Sequence, residues 1–303
     1  MKKVLVLYYS QSGQLKQVLD NFLLDLPDDE IELDVKSIKP KVKYPFPWPF
    51  YHFFDEFPES VFMDGCEIDE LEDLKDDYDL IILGYTVWYM APSIPITAFM
   101  HSNQAKKLFK DKPVITLVAC RDMWVLAQEK MKDMLKDVEA KHIDHVALVD
   151  QSGSVLSLIT LPTYMLTGDK KYFSYLPSAG ISEKDILSCN RFGKRLNKAL
   201  HQNKEKTGEA LLKNLNAVSV NGKLIATEKI ANRSFRIWSR LIKASGIKYS
   251  LGRKITITIY VSFLIILLLT IVPINIIARK ILNIFQKEKL KKMEDYYELP
   301  SGR

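Results

Sequence analysis

The chain has 303 residues, 47% hydrophobic and 26% charged, a balance that suits one globular domain with an appendage better than two equal domains. Its net charge of +6 is uneven: the surplus of Lys and Arg gathers after residue 190 while Asp55 to Asp79 is acidic, which argues against a nucleic-acid binder and for a C-terminal end that binds a surface. Cys66, Cys120 and Cys189 lie far apart without paired spacing, which excludes a disulfide framework and a zinc site, and no other metal site is expected.

The N-terminal apolar run, Val4 to Tyr9, is too short for a signal peptide, so the first domain is expected to face the cytoplasm. Short apolar runs then alternate with amphipathic ones, the pattern of an α/β parallel sheet with helices on both faces. Strands are predicted at Lys3 to Tyr9, Ile31 to Lys36, Tyr78 to Leu83, Val114 to Ala119 and His145 to Val149. Helices are predicted at Gly13 to Asp25, Ile94 to Ser102 and Val125 to Lys136. Between residues 39 and 58, five prolines interleave with Tyr44, Phe46, Trp48, Phe50, Tyr51, Phe53 and Phe54. Proline at that density argues against regular structure, and exposed aromatics are costly, so this insertion is either local core or a greasy lid or lipid-contacting loop.

After the fifth strand, Gln151 to Gly180 reads as irregular, and a helix capped by Ser182 runs to about Leu200, closing a first domain of residues 1–200. A connecting region (201–229) leads to a basic amphipathic segment (230–254), where Ile230, Phe235, Trp238, Leu241 and Ile242 oppose Arg233, Arg236, Arg240 and Lys243, as in a helix on anionic headgroups. Ile255 to Ala278 is uncharged, and its 24 residues would span about 36 Å as a helix, enough for a bilayer core. Basic residues lie on both sides, in 230–254 and in the tail 279–303, so the positive-inside rule does not orient it. A single span is the first expectation; a segment that dips in and returns, bent at Pro273, is the second.

The chemistry sits in three loops. Ser10-Gln11-Ser12-Gly13-Gln14, with Leu15 behind it, follows the first strand and opens the first helix, where amides and the helix dipole favour a phosphate. No Lys follows in a GxxxxGK pattern, which excludes a nucleoside-triphosphate loop. After the third strand come Thr86, Val87, Trp88 and Tyr89, planar groups suited to stacking on a flat heterocycle; packing under the insertion is the alternative. The third loop, Cys120-Arg121-Asp122, completes the rim; Arg121 is expected to pair with Asp122, and Cys120 to be structural.

These residues resemble a known group. Val4 to Gln14 and Gly84 to Tyr89 look like flavodoxin and its NAD(P)H-dependent or quinone-linked relatives, in which a Ser/Thr-x-Ser/Thr-Gly-x-Thr loop holds the FMN phosphate; here Leu15 replaces the last Thr. The resemblance covers roughly residues 1–150 and implies a flavodoxin-like five-stranded, doubly wound sheet with FMN at the ends of the strands. Over the whole chain, the Tyr-Tyr-Ser-Gln-Ser-Gly-Gln run, the Arg121 to Trp124 loop and the apolar C-terminal segment are similar to bacterial dialkylresorcinol condensing enzymes. That resemblance implies a place beside a ketosynthase in dialkylresorcinol and flexirubin synthesis. None of the three cysteines sits as a thiolase-type nucleophile would, with partner His residues.

The expected activity is therefore oxidation rather than condensation: loss of a hydride to FMN and of a proton to a base would convert a dialkylcyclohexanedione to a dialkylresorcinol. His52, Tyr89 and His142 are candidate bases by residue type alone. The expected partners are a lipid membrane, a lipophilic small molecule and the pathway's ketosynthase, with no nucleic acid, and the expected location is the cytoplasmic membrane. A membrane-bound quinone reductase or electron carrier is the first alternative. A non-enzymatic scaffold that has lost its cofactor, for which Leu15 is the hint, is the second.

Overall fold

The computed structural model describes residues 1–282 and 287–302, with the backbone alone described for 271–282. Its centre is a parallel sheet of β1 (Lys2–Tyr8), β2 (Ile31–Ser37), β3 (Leu80–Trp88), β5 (Pro113–Cys120) and β6 (Lys141–Val149) in the order β2-β1-β3-β5-β6; the two-residue β4 (Ala91–Pro92) pairs antiparallel with the end of β3. This is the flavodoxin-like order, with its switch point between β1 and β3. Strands covered on both faces must be apolar throughout rather than alternating, and Val4 to Leu7 and Leu80 to Leu83 are all wholly buried.

The helices fall between the strands. α1 (Gln14–Leu23) packs on α8 (Glu183–Ser188) and α9 (Asn190–His201), with Phe22 stacked on Phe192. The two helices crowd so closely that a Cβ on Gly193 would stand 2.1 Å from the Phe22 carbonyl oxygen. α4 (Ile94–Met100) and α5 (Asn103–Phe109) precede β5, and α6 (Val125–Asp137) precedes β6.

Several elements differ from expectation. The insertion folds into two short helices, α2 (Phe50–Asp55) and α3 (Phe57–Phe62), because its prolines stop just short of α2 and Pro58 falls in the first turn of α3, where proline is tolerated. Gln151 to Gly180 contains a four-turn helix, α7 (Gly153–Thr167), ended by Gly168 at φ 78°. The helix expected from Ser182 to Leu200 breaks at Cys189, although Ser182 does cap α8 by accepting the Asp185 amide at 3.1 Å.

The C-terminal part is helical and folded back. α10 (Gly222–Ala244) begins eight residues before the predicted amphipathic segment, and the apolar segment lies inside the 32-residue α11 (Leu251–Leu282). Residues 251–270 form one helix long and apolar enough to cross a membrane, and little of it is buried. α11 runs back along α10: Ile242 and Ile257 share a cluster, and Trp238 lies 5.3 Å from both Tyr260 and Phe263. The predicted basic tail contains α12 (Lys287–Tyr297), which packs on α10; residues 283–286 and Arg303 lie outside the described residues.

Three basic residues around the start of α11 are used within the protein. Arg253, 2% exposed, sits 2.7 Å from Asp55 and makes two 3.0 Å bonds to Glu59. Lys248 pairs with Glu56 at 2.8 Å and Lys243 with Asp64. The acidic stretch from Asp55 thus holds the start of α11.

Candidate functional site

Between β1 and α1 the chain turns through Tyr9 to Gly13. Gly13 takes φ 83°, a left-handed conformation that costs a residue with a side chain energy, and a Cβ placed there would meet nothing within 4 Å. No side chain caps α1, and among the described residues the amides of Ser12, Gly13, Gln14 and Leu15 have no acceptor. Four free amides at the positive end of a helix form a site for an anion. The Leu15 side chain belongs to the core, so its amide is all it offers the loop. Gln11 donates to the Pro45 carbonyl at 2.6 Å and Gln14 accepts from the Ile181 amide at 3.3 Å, while Gln11 Oε1 and Gln14 Nε2 are buried without a partner among the described residues. Ser10 accepts weakly from the Lys16 amide at 3.4 Å, and the Ser12 side chain lies beside Tyr164 of α7.

β3 runs past the end of β1 and turns back into β4 through Tyr89 and Met90, both left-handed at φ 48° and 62°. That conformation suits a two-residue hairpin but stores about 1 kcal/mol or more at each non-glycine residue. Val87 pairs with Pro92 in this hairpin. Trp88 is ringed by Tyr9, Tyr44 and Trp48 at centroid distances of 6.0, 5.0 and 5.5 Å. The insertion is thus closed over Trp88, the packing that was the alternative to stacking, and leaves the indole nearly buried. The Thr86 hydroxyl and the Trp48 indole N–H, both buried, have no partner among the described residues. Tyr89 donates to the Phe53 carbonyl at 2.6 Å, and its ring contacts Phe57, which stacks on Tyr260 of α11 at 4.8 Å. The second loop is thereby joined to the apolar helix.

The third loop is tied to α7. Arg121 donates to the Ser157 hydroxyl at 2.6 Å and to the Ser154 carbonyl at 2.9 Å, and Ser154 donates to Asp122, so the expected Arg121–Asp122 pair is replaced by contacts to α7. Burial lowers the Arg121 pKa to about 10 and pushes the Cys120 thiol well up, so Cys120 is no thiolate at neutral pH. Asp150 accepts from the Ser152 and Gly180 amides and fixes the two ends of the segment that carries α7.

The three candidate bases part company. His142 lies at the start of β6, the sheet edge opposite the loops, bonded to Thr116 at 3.0 Å, and burial lowers its pKa to about 4; this corrects its candidacy. His52 is exposed on α2 and stacks on Tyr249 at 4.5 Å. Burial raises the Tyr89 pKa well above its ordinary value, which leaves it a hydrogen-bond donor.

Two features close to the site are invisible in a linear reading. α7 packs on the insertion: Phe46 meets Tyr164 edge-on at 5.1 Å, and the Trp48 amide donates to the Met165 carbonyl at 2.8 Å. Glu228 of α10 accepts the Leu126 amide at the start of α6 at 2.7 Å while its Oε2 is buried without a partner, and burial raises its pKa to about 7. Lys130, with its ammonium buried, is lowered to about 8, also by burial. Among the described residues no group of His, Cys, Asp and Glu is suited to hold a metal.

No family model and no curated protein matches the chain. Among solved structures, a Lactobacillus acidophilus flavoprotein in complex with FMN is similar at 23% identity over 48% of this chain and 93% of its own, with a TM-score of 0.39. A flavodoxin from the domain Archaea is similar at 14% identity over 66% and 99%, with a TM-score of 0.35. A flavodoxin, WrbA-like protein from Agrobacterium tumefaciens is similar at 13% identity over 67% and 99%, with a TM-score of 0.36.

Proposed function

We propose that residues 1–200 bind FMN and that the chain is an oxidoreductase acting on a lipophilic ring, converting a dialkylcyclohexanedione to a dialkylresorcinol beside a ketosynthase at a membrane. The observation that carries the flavin reading is the run of four free amides from Ser12 to Leu15 at an uncapped helix start, with open space beside Gly13. These amides, with the Ser10 and Ser12 hydroxyls, would hold the phosphate. Gln11, Gln14, Trp48 and Thr86 each keep a buried polar atom without a partner, the groups that a polar ligand next to this loop would satisfy.

When bound, FMN would supply two-electron redox chemistry. The chain itself binds, orients and excludes water: the collar around Trp88 closes the site, and Arg121 and Asp122 tie α7 to the third loop. The dione is acidic between its carbonyls and reaches its enolate near neutral pH without a strong base. A site lacking a poised imidazole is compatible with such a substrate.

The same lack favours a second reading, a quinone reductase or electron carrier, which needs no base. The test is the visible absorption spectrum of the detergent-solubilised full-length protein, with identification of any released flavin, followed by turnover. Bound FMN with oxidation of a cyclohexanedione supports the first reading; bound FMN with quinone reduction alone selects the second. A colourless protein that FMN does not reconstitute overturns both and selects the scaffold.

A further inference from the structure

An apolar helix that crossed a bilayer would leave the chain after it on the far side. α11, at 32 residues, is about 48 Å long. The chain that follows it returns to the start of α10 and to the sheet: the Gly222 amide donates to Glu294 at 3.0 Å, the Val220 amide to Glu298 at 3.1 Å, and Ser301 bonds both the amide and the carbonyl of His145 in β6. Five residue steps separate Leu282 from Lys287, at most about 18 Å of chain. That reach joins α11 to α12 only if α11 lies alongside the domain. It does, antiparallel to α10, whose 23 residues measure about 34 Å.

Lying there, α11 leaves a stripe in water. Leu251, Ile255, Ile259, Ile266 and Leu269 recur at steps that keep one helical face, and they are 75, 54, 56, 62 and 71% exposed. The outer face of α10 adds exposed Ile237 and Leu241 together with Arg233, Arg236 and Arg240, which have no ion pair among the described residues. No acidic residue occurs between Glu228 and Glu288. An aliphatic stripe edged by unpaired guanidiniums and free of carboxylates complements acyl chains below anionic headgroups.

We propose that α10 and α11 lie in the interface of a single anionic leaflet, that α11 does not cross it, and that the domain and the tail stay on one side. This holds whether or not the chain binds flavin. The full-length protein is added to preformed, sealed vesicles of phosphatidylglycerol or of phosphatidylcholine alone, and is also synthesised in the presence of inverted bacterial membrane vesicles. Two variants carrying a reporter thiol, Lys184→Cys on α8 and Lys291→Cys on α12, are treated with an impermeant maleimide. Both positions are expected to react from the outside without detergent. Protection of position 291 until detergent is added, with position 184 reactive, overturns the proposal in favour of a span. In flotation, binding is expected to phosphatidylglycerol and to fall roughly 100-fold in Arg233→Gln/Arg236→Gln/Arg240→Gln, at about fivefold per cation. Equal binding to both vesicle types overturns the anionic-leaflet assignment. A lipid-free, stable dimer that shields α11 overturns the membrane assignment.

Discussion

Gly13 separates folding from binding. Its added Cβ has room, so Gly13→Ala is expected to cost only the left-handed strain, about 1–2 kcal/mol, read as a fall in the unfolding midpoint. The same methyl stands where a phosphate would approach the free amides, so FMN affinity is expected to fall at least tenfold, read by quenching of flavin fluorescence. Ser12→Ala removes one donor to a charged group, worth about 1.5–3 kcal/mol, and is expected to weaken FMN by ten- to a hundredfold with little effect on folding. Unchanged affinity in both variants would remove the phosphate assignment.

Glu228 makes a prediction about pH. Its folded pKa, about 7, is raised by burial above the ordinary 4.5, so the folded state holds its proton more tightly than the unfolded chain does. That contribution to stability is complete below about pH 4.5 and is lost as pH rises through 7. Glu228→Gln keeps an acceptor for the Leu126 amide and removes the buried charge. Chemical denaturation across this range is expected to show a flatter pH profile for the variant, with a gain on the order of 3 kcal/mol or less at pH 8. Parallel profiles would mean that Glu228 is solvated.

At the level of elements, the helices of the insertion serve as the anchor of α11. Arg253→Met leaves buried Asp55 and half-buried Glu59 without their cation and is expected to cost about 3–5 kcal/mol, seen as a large drop in the unfolding midpoint. Trp48→Ala opens the collar around Trp88; if the insertion is a lid, FMN is expected to bind faster in this variant in stopped-flow fluorescence, with the sheet intact by circular dichroism. Loss of the fold instead would make Trp48 a core residue and not a gate.

The legible elements are those whose signals are local. β1, its Ser/Gly turn and α1 follow one another within 22 residues, and each carries its own pattern. α7 is hidden because its sequence is apolar on nearly every side and holds Pro162, so no 3.6-residue stripe marks it. The fate of the basic residues around the start of α11 is hidden for another reason: Arg253 pairs with Asp55 across 198 positions, and nothing local separates a cation waiting for a headgroup from one waiting for a distant carboxylate. The closed collar at Trp88 is likewise a tertiary fact, set by Tyr44 and Trp48 from an insertion whose sequence left local core and lid equally open.

For the whole molecule, the C-terminal residues do more than follow α11. β6 is the last strand of the sheet, and its outward amides and carbonyls would otherwise be a template for another chain. The Ala147 amide donates to the Ala217 carbonyl, while Ser301 occupies His145. Segments from two distant parts of the chain thus act as a selvedge that stops the sheet from being extended. A protein shortened before Ser301 would lose half of that hem, and light scattering on heating would show it joining edge to edge with its neighbours before the full-length chain does.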